Sequence, residues 1–438
     1  MSNLTNGPGL SRRRFLRTAA AAAAAPLILP ATARGANDRI TMGAIGVGGR
    51  GTADMRGFLG NPGVQVVAVC DVWEARRLRA KKRVEAHYAQ RQGKDKYKGC
   101  DAYNDFREVI GRDDIDAVLI APQDHWHAIM AVQAAESGKD MYCEKPLGVA
   151  VRETQVIRDT VRRYNRVFQT GTQQRSDRKF RHACELARNG YLGKIHTVEV
   201  AAPGRSYKPR YRGSVAPEPV PKGFDFDMYT GPAPKKPWNR ARIDYPGFYL
   251  IWDYCAGFVV NWGVHHLDIA HWGYPGLTEQ KFELVAEADY RTYGLTDNIN
   301  GWKAEFRYPD GVRLLFSDSG YPYKQGCKFV GDKGWVHVSR GGISAEPKAL
   351  LKVKMRPNEI HLVRSTHHQG NLVDCIRTRR DPVASVDDGH KASYFGMITD
   401  IAARVRRKVV WDPIAETFIN DDEANRMLSR PMRAPWTL

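Results

Sequence analysis

The chain has 438 residues, 42% of them hydrophobic and 26% charged, which supports two domains with sizeable cores and excludes an intrinsically disordered chain. A net charge of +19, from 67 Lys and Arg against 48 Asp and Glu, admits an acidic partner. The densest basic run, residues 74–98 (EARRLRAKKRVEAHYAQRQGKDKYK), reads instead as a solvated helix face and a polar loop without interleaved aromatics, so no nucleic-acid partner is expected. Seven cysteines with no C-x-x-C pair exclude a disulfide-stapled scaffold.

Residues 1–33 carry Arg12-Arg13-Arg14 ahead of an alanine run and end on Ala31-Thr32-Ala33, a small-x-small cleavage site. The apolar part is too short to span a bilayer, so no stable membrane anchor is expected. A twin-arginine pair before a mild apolar region resembles a Tat export signal, which implies the Tat machinery as a partner and a periplasmic or otherwise exported location. Tat cargo folds in a reducing compartment before export, and unpaired thiols agree with that.

Residues 40–52, ITMGAIGVGGRGT, run a short apolar strand into a turn with Gly46, Gly48 and Gly51. In G-x-G-x-x-G the first glycine permits the tight turn, the second lets the backbone approach a pyrophosphate, and the third lets helix and sheet pack closely, with the helix N-terminus facing the anion. Gly49 and Arg50 share that turn. The next apolar strand, VQVVAVC, ends at Asp71, about 20 residues past the fingerprint, where a carboxylate accepts both ribose hydroxyls. Asp71 would repel a 2′-phosphate, so NAD is the expected cofactor; Arg76 and Arg77 keep NADP possible.

To about residue 165 apolar strands (expected at 40–45, 64–70, 117–121 and 141–143) alternate with helical patterns (52–59, 74–90, 105–110, 127–137 and 152–164), which predicts a parallel, doubly wound α/β sheet over 38–170. After a further strand at 167–171 and a helix at 177–189 the apolar period changes to two. Runs at 194–200, 282–291, 302–307, 312–316, 327–330 and 335–338, with hairpin turns such as Pro309-Asp310-Gly311, predict an α+β domain over 171–438 built on an open, mostly antiparallel sheet. Residues 203–261 form a long insertion rich in Pro, Gly, Trp and Tyr; loops of this length are usually functional or disordered, and so much aromatic surface argues for functional. Its Trp238, Tyr245, Phe248, Tyr249 and Trp252 either line a sugar site, since aromatic faces stack on sugar rings, or cover the second sheet.

Glu144-Lys145-Pro146 closes the parallel half at the carboxyl end of a strand, where ligands of open α/β sheets sit. Lys145 is placed beside the nicotinamide ribose and a substrate hydroxyl, and Glu144 is expected to hold its charge in place. GVGGRG, Asp71, DHWHA (124–128), SGKDMYCEKPL (137–147) and NWGVHHLDI (261–269), in this order, resemble the glucose-fructose oxidoreductase, inositol dehydrogenase and MocA family, and the likeness continues through GHKASYFGMITDIAARVRRKVVWDP and EANRML to the C-terminus. The resemblance implies a Rossmann domain followed by an open-sheet domain, NAD(P) between them, and a sugar or polyol as substrate. It also implies a homo-oligomer, dimer or tetramer.

Carried across by residue, the family's lysine falls on Lys145 and its catalytic histidine on His265. The motif D-x-G-x-H-x-x-D reads Asn261-Trp262-Gly263-Val264-His265-His266-Leu267-Asp268, so its first aspartate is Asn261, which can orient His265 but cannot take a proton. Asp253 or Asp268 is then the expected substitute acid. The motif T-P-N-x-x-H reads Pro122-Gln123-Asp124-His125-Trp126-His127 with its proline shifted by one place. Asp124, His127 and Glu144 join the glycines, Arg50, Asp71 and Lys145 as cofactor contacts, although His127, like His367, His368 and His390, also reads as a helix-end or packing residue. Gln173 and Arg175, just past the last parallel strand, bond substrate or cap the next helix; Trp252, His266 and Asp268 complete the candidate substrate set. No metal is expected, because on a helix His265 faces Asp268 while His266 points elsewhere.

These features predict an exported NAD(P)-dependent oxidoreductase acting on a sugar or polyol hydroxyl with a tightly held cofactor. A redox-neutral NAD-dependent glycoside hydrolase is the alternative, and a sugar-binding protein that has lost the chemistry, which Asn261 would favour, is the third.

Overall fold

The computed structural model describes residues 39–92, 99–204, 216–290, 294–319 and 322–438; the export signal expected at 1–33 lies outside them. Six strands form the first sheet: β1 (Ile40–Ile45), β2 (Val64–Cys70), β3 (Asp101–Tyr103), β4 (Ala117–Ile120), β5 (Asp140–Cys143) and β6 (Phe168–Thr170). Their order is β3-β2-β1-β4-β5-β6 and every pairing is parallel. β4 and β5 are buried throughout, as strands covered by helices on both faces must be, which is why they read as unbroken apolar runs. The strand order reverses between β1 and β4, and the crevice at their carboxyl ends is where such sheets bind ligands.

The helix after β1 spans Gly49–Leu59, starting before the expected Thr52 because the fingerprint's own second half supplies its first turn. It buries Gly51, Asp54, Met55, Phe58 and Leu59 against the sheet. Further helices at Glu74–Gln92, Phe106–Ile110, His127–Glu136 and Val151–Arg163 complete the two outer layers.

Nine strands form the second sheet: β7 (Ile195–Ala202), β8 (Phe282–Tyr290), β9 (Ile299–Arg307), β10 (Arg313–Asp318), β11 (Gly326–Gly331), β12 (Gly334–Ser339), β13 (Gly342–Glu346), β14 (Val409–Asp412) and β15 (Thr417–Phe418). The order is β13-β12-β11-β7-β10-β9-β8-β14-β15; β7 and β10 pair in parallel and the remaining neighbours antiparallel, so the sheet is open and mostly antiparallel as expected. The helices Arg178–Arg188, Gly263–Gly273 and Val386–Val405 share a core with it, where Leu267, Phe282, Phe316, Phe329 and Phe395 are buried together. The helix Gly263–Gly273 lies so close to the sheet that a Cβ on Gly273 would come within 2.3 Å of the Phe329 ring.

Late segments tie the two sheets together. The helix His368–Thr378 places Leu372 and Val373 in the cluster that holds Met55 and Phe58 of the first domain, and Trp436 packs on Trp126 at 4.7 Å between ring centroids. At the junction Arg175, just after β6, bonds both carboxylate oxygens of Asp268 at 2.9 and 2.8 Å, with Asp388 3.2 Å from the same guanidinium. Burial pushes the Asp268 carboxyl up, but Arg175 and His271 pull it down further, and it lies below the ordinary aspartate range.

Asp268→Asn leaves a buried guanidinium short of a charge, and with Asp388 still present the loss sits at the lower end of the usual range, about 3 kcal/mol. Denaturant unfolding at neutral pH is the measurement. Because the folded carboxyl is depressed, its contribution is present above the unfolded aspartate value of about 3.9 and lost as pH falls through the folded one. The gap between wild type and variant therefore closes in acid.

Candidate functional site

A cleft of about 440 Å³ opens at the carboxyl ends of β1, β4 and β5 and is walled on its far side by the second domain. Gly46 sits at φ +78°, and its N–H donates to the Cys70 carbonyl at 2.9 Å, which turns the chain sharply out of β1. A Cβ on Gly51 would meet the Gly46 carbonyl oxygen at 1.8 Å, so the third glycine is fixed by helix–strand packing. Gly48 and Gly49 differ: a Cβ on Gly49 meets nothing within 4 Å, and one on Gly48 only Arg76 at 3.5 Å. These two glycines therefore border open space at a helix N-terminus that has no acidic residue in its first turn and no side-chain cap, which fits a pyrophosphate.

Asp71, buried at the end of β2, lines one end of the cleft, and its Oδ1 accepts the Trp73 N–H at 2.9 Å. Burial pushes its carboxyl up, and the Trp73 amide and Arg76 restrain that rise. Arg76 also lines the cleft, stacked 4.8 Å from the Trp73 ring centroid, while Arg77 turns back to the Asp71 carbonyl at 3.2 Å.

At the other end stand Lys145, Asn261, Asp124 and His265. Lys145 Nζ donates to the Asn261 side-chain oxygen at 2.8 Å and to its backbone carbonyl at 3.0 Å. The Asn261 amide nitrogen donates in turn to Asp124 at 2.9 and 3.2 Å, and the Cys255 thiol donates to the same carboxylate at 3.0 Å. Burial pushes the Lys145 ammonium below the usual lysine range although Glu144 and Asp124 oppose it. His265 lines the cleft with its Nδ1 buried and without a hydrogen-bond partner. Burial first, then Lys145 and Arg340, hold its imidazole well below the ordinary histidine value, so it is neutral at physiological pH.

Two expected contacts are corrected here. Glu144 supports the Lys145 ammonium by its charge but makes no hydrogen bond to it: its carboxylate is taken by Gln173 Nε2 at 2.8 Å and Arg50 Nε at 3.1 Å, and Arg50 also bonds Asp54 at 2.9 Å. Burial and the neighbouring Glu144 push the Asp54 carboxyl up, while Arg50 and Lys145 bring Glu144 down. Asn261 does not orient His265, because the chain breaks at Trp262 between the short helix Phe258–Asn261 and the helix Gly263–Gly273, and the amide turns to Asp124 and Lys145 instead.

The cleft brings together Gly46, Gly48, Gly49, Arg50, Asp71, Asp124, His127, Glu144, Lys145, Gln173, Asn261 and His265. His127 Nδ1 lies 2.6 Å from the Pro146 carbonyl and Nε2 3.4 Å from that of Pro122, so the ring clamps the loops after β4 and β5. Four candidate substrate residues lie elsewhere. Arg175 and Asp268 are consumed in their buried ion pair. His266 is fully buried with neither ring nitrogen partnered, and burial lowers it to about 3. Trp252 is covered by the guanidinium groups of Arg404 and Arg430, 4.0 and 3.2 Å from its ring centroid. Asp253, the other candidate acid, pairs with Lys236 at 2.6 Å. Of the insertion's aromatics, Tyr245, Phe248 and Tyr249 line the cleft, whereas Trp238 packs on Phe224 and Phe226.

Trp262 and Arg340, stacked 4.7 Å apart, also line the cleft. Arg340 comes from the β12–β13 turn, Ser339-Arg340-Gly341-Gly342, which in sequence is indistinguishable from any basic hairpin turn. Among the described residues no group of three or more His, Cys, Asp and Glu is arranged to hold a metal, and no helix is long and apolar enough to cross a membrane.

The model of an oxidoreductase family's NAD-binding Rossmann fold matches residues 40–172, and that of the same family's C-terminal alpha/beta domain matches 177–438. The chain belongs to this family, that of glucose-fructose oxidoreductase, inositol dehydrogenase and MocA. The alpha-N-acetylgalactosaminidase of Shewanella oneidensis is 34% identical over 163 residues, 37% of this chain and 34% of that protein. A glycosyl hydrolase family 109 protein of Shewanella baltica is 31% identical over 167 residues, 37% and 35% of the two chains. The chain thus spans about a third of the length of these curated relatives. Among solved structures, scyllo-inositol dehydrogenase from Lactobacillus casei with bound NAD(H) and scyllo-inositol shares the fold at TM-score 0.59 and 17% identity, over 85% of this chain and 99% of that one. Aldose-aldose oxidoreductase from Caulobacter crescentus with glycerol does so at 0.61 and 18%, over 85% and 99%. Against the family motifs the chain departs at Pro122, Gln123, Asp124 and Asn261, and the side chains of the last two touch: the carboxylate absent at 261 stands at 124.

The two kinds of fingerprint glycine separate experimentally. Gly51→Ala drives a Cβ into backbone and should prevent or severely weaken folding. Gly49→Ala should leave the apo melting temperature unchanged yet weaken NAD binding about tenfold or more, about 1.4 kcal/mol. Thermal melting paired with equilibrium dialysis against NAD checks both.

Proposed function

We propose that the cleft transfers a hydride between NAD and a carbon-bound hydroxyl of a sugar or polyol. The observation that carries this reading is the pairing, at one end of a dinucleotide cradle, of a neutral histidine that lines the cleft and a lysine ammonium anchored by Asn261. Gly46 to Gly51 would hold the pyrophosphate and Asp71 the adenosine ribose. NAD, when bound, supplies the two-electron acceptor. The His265 imidazole accepts the hydroxyl proton, and Lys145 offsets the alkoxide charge that develops as the proton leaves. Tyr245, Phe248, Tyr249 and Trp262 give the cleft apolar faces against which a sugar ring can stack. Export through the Tat route and assembly into a homo-oligomer belong to the same proposal. Free nicotinamide cofactor is not supplied outside the cytoplasm, so an exported enzyme would retain its NAD and return it to its starting state each cycle.

A second reading follows from the relatives named for glycosidase activity: oxidation of one glycoside, elimination of its aglycone and re-reduction, with no net redox change. The two separate in one assay. NAD-loaded protein given aldoses and polyols should show reduced nicotinamide in a single turnover; release of nitrophenol from a nitrophenyl glycoside with no second carbohydrate present favours the glycosidase. Silence in both assays would leave a sugar-binding protein.

Lys145→Ala and His265→Ala should each slow single-turnover reduction by about 10²–10⁴-fold while NAD stays bound; a loss of less than about tenfold removes that residue from its role. The pH profile carries a sign of its own. His265 is depressed, so the base remains neutral and active well below pH 6.5, and the acid limb is displaced downwards. Lys145 is depressed too, so rate falls on the alkaline side at a lower pH than an ordinary lysine would give.

A further inference from the structure

Asn261 lies between a group that only accepts hydrogen bonds and one that only donates them. The Asp124 carboxylate takes the amide nitrogen at 2.9 and 3.2 Å, and Lys145 Nζ gives to the amide oxygen at 2.8 Å. The reverse amide orientation would set nitrogen against ammonium and oxygen against carboxylate, so the network fixes one direction. The Cys255 thiol adds a further donor at 3.0 Å, and Asp124 and Asn261 are both nearly fully buried, at 3% exposure each.

We propose that Asp124 is a positioning residue for Lys145, acting through the Asn261 amide that it orients and adding, to the charge of Glu144, a carboxylate hydrogen-bonded into the chain that holds the ammonium in the cleft. Its catalytic consequence rests on the role given to Lys145 above, whereas the protonation of Lys145 is measurable without any substrate. In this reading Asp124 is neither chiefly a cofactor contact nor a base. It does for Lys145 what a carboxylate at position 261 would do directly, at one hydrogen bond's remove. The charged and titratable groups facing Lys145 are Glu144 on its own segment, Asp124 from the loop after β4, Cys255 from the insertion, His265 from the helix Gly263–Gly273 and Arg340 from the β12–β13 turn. Glu144 favours the ammonium by its charge, but its hydrogen bonds go to Arg50 and Gln173. Cys255 stays a neutral thiol because burial pushes it up, and Arg340 disfavours the ammonium. Asp124 is the acidic group hydrogen-bonded into the chain that ends on Lys145 Nζ.

The test is competitive labelling of the NAD-loaded full chain with trace acetic anhydride across pH, with the Lys145 peptide quantified by mass spectrometry. In Asp124→Asn, whose amide can still accept from Asn261, the labelling midpoint of Lys145 should move down by about one pH unit. In Asn261→Asp, with a carboxylate on the ammonium itself, it should move up. The double exchange Asp124→Asn with Asn261→Asp keeps one carboxylate and one amide and should give a midpoint at or above the wild-type value. The alkaline limb of single-turnover rate should follow the same order. A cooperatively melting Asp124→Asn protein with an unmoved midpoint overturns the proposal. If that variant fails to melt cooperatively, the double exchange decides, and a midpoint below wild type overturns it. A failure of catalysis with correctly ordered midpoints would count against the proposed reaction and leave the role of Asp124 standing.

Discussion

The hydrogen bond from Lys145 to Asn261 joins the two halves of the molecule where the chemistry would occur. Lys145 stands just beyond the end of β5 in the parallel sheet, and Asn261 closes the short helix ahead of the one packed on the antiparallel sheet. A cation placed by one domain is thus held by an amide placed by the other, and the amide by a carboxylate from the first. Geometry at the cleft depends on how the domains dock, which explains the heavy clamping around it: the Arg175–Asp268 pair, the Trp126–Trp436 contact and the helix His368–Thr378 packed on the first domain.

Buried ionisable groups sort into two kinds. Arg175 with Asp268 is a closed pair whose charges answer each other and whose removal costs stability. The cleft groups are not closed in this way. Lys145 is depressed and His265 is neutral, and both line the cleft. Such an arrangement keeps an acceptor for a proton and a cation for the resulting negative charge at the same mouth, the requirement for taking a hydroxyl proton near pH 7.

Much of this was legible in the chain. β1 and β2 are unbroken apolar runs ending on the fingerprint and on Asp71, and the spacing alone located the cradle. Lys145 followed from its place at a strand end. What escaped did so for identifiable reasons. β3 is three residues long, with no apolar run to mark it. The helix Val386–Val405 is buried on nearly every face, so it has no polar stripe to reveal its period, and only the Ser385–Asp388 capping box marks its start. Arg175, His266, Asp268 and Trp252 have the right chemistry in the right neighbourhood, but a partner distant in sequence or a turn of the helix claims each one. Asp124 and Asn261 lie 137 positions apart, so no spacing rule could show that these two departures from the family motifs meet.

The meeting of those departures bears on which reaction the cleft serves. His265 has no carboxylate partner, since the side chain at 261 turns to Asp124 and Lys145, so an imidazolium formed there would not be stabilised by a paired carboxylate and would return its proton readily. A one-way dehydrogenase gains little from that. A cycle that must run forward and then back on one bound molecule, oxidising a hydroxyl and later restoring it, requires a base that gives up its proton as easily as it takes it. Lys145, held through an amide instead of by direct contact with a carboxylate, is suited to the same balance. On the reading proposed above, Asn261, which holds Lys145 through an amide, would suit a redox-balanced cycle that retains its cofactor.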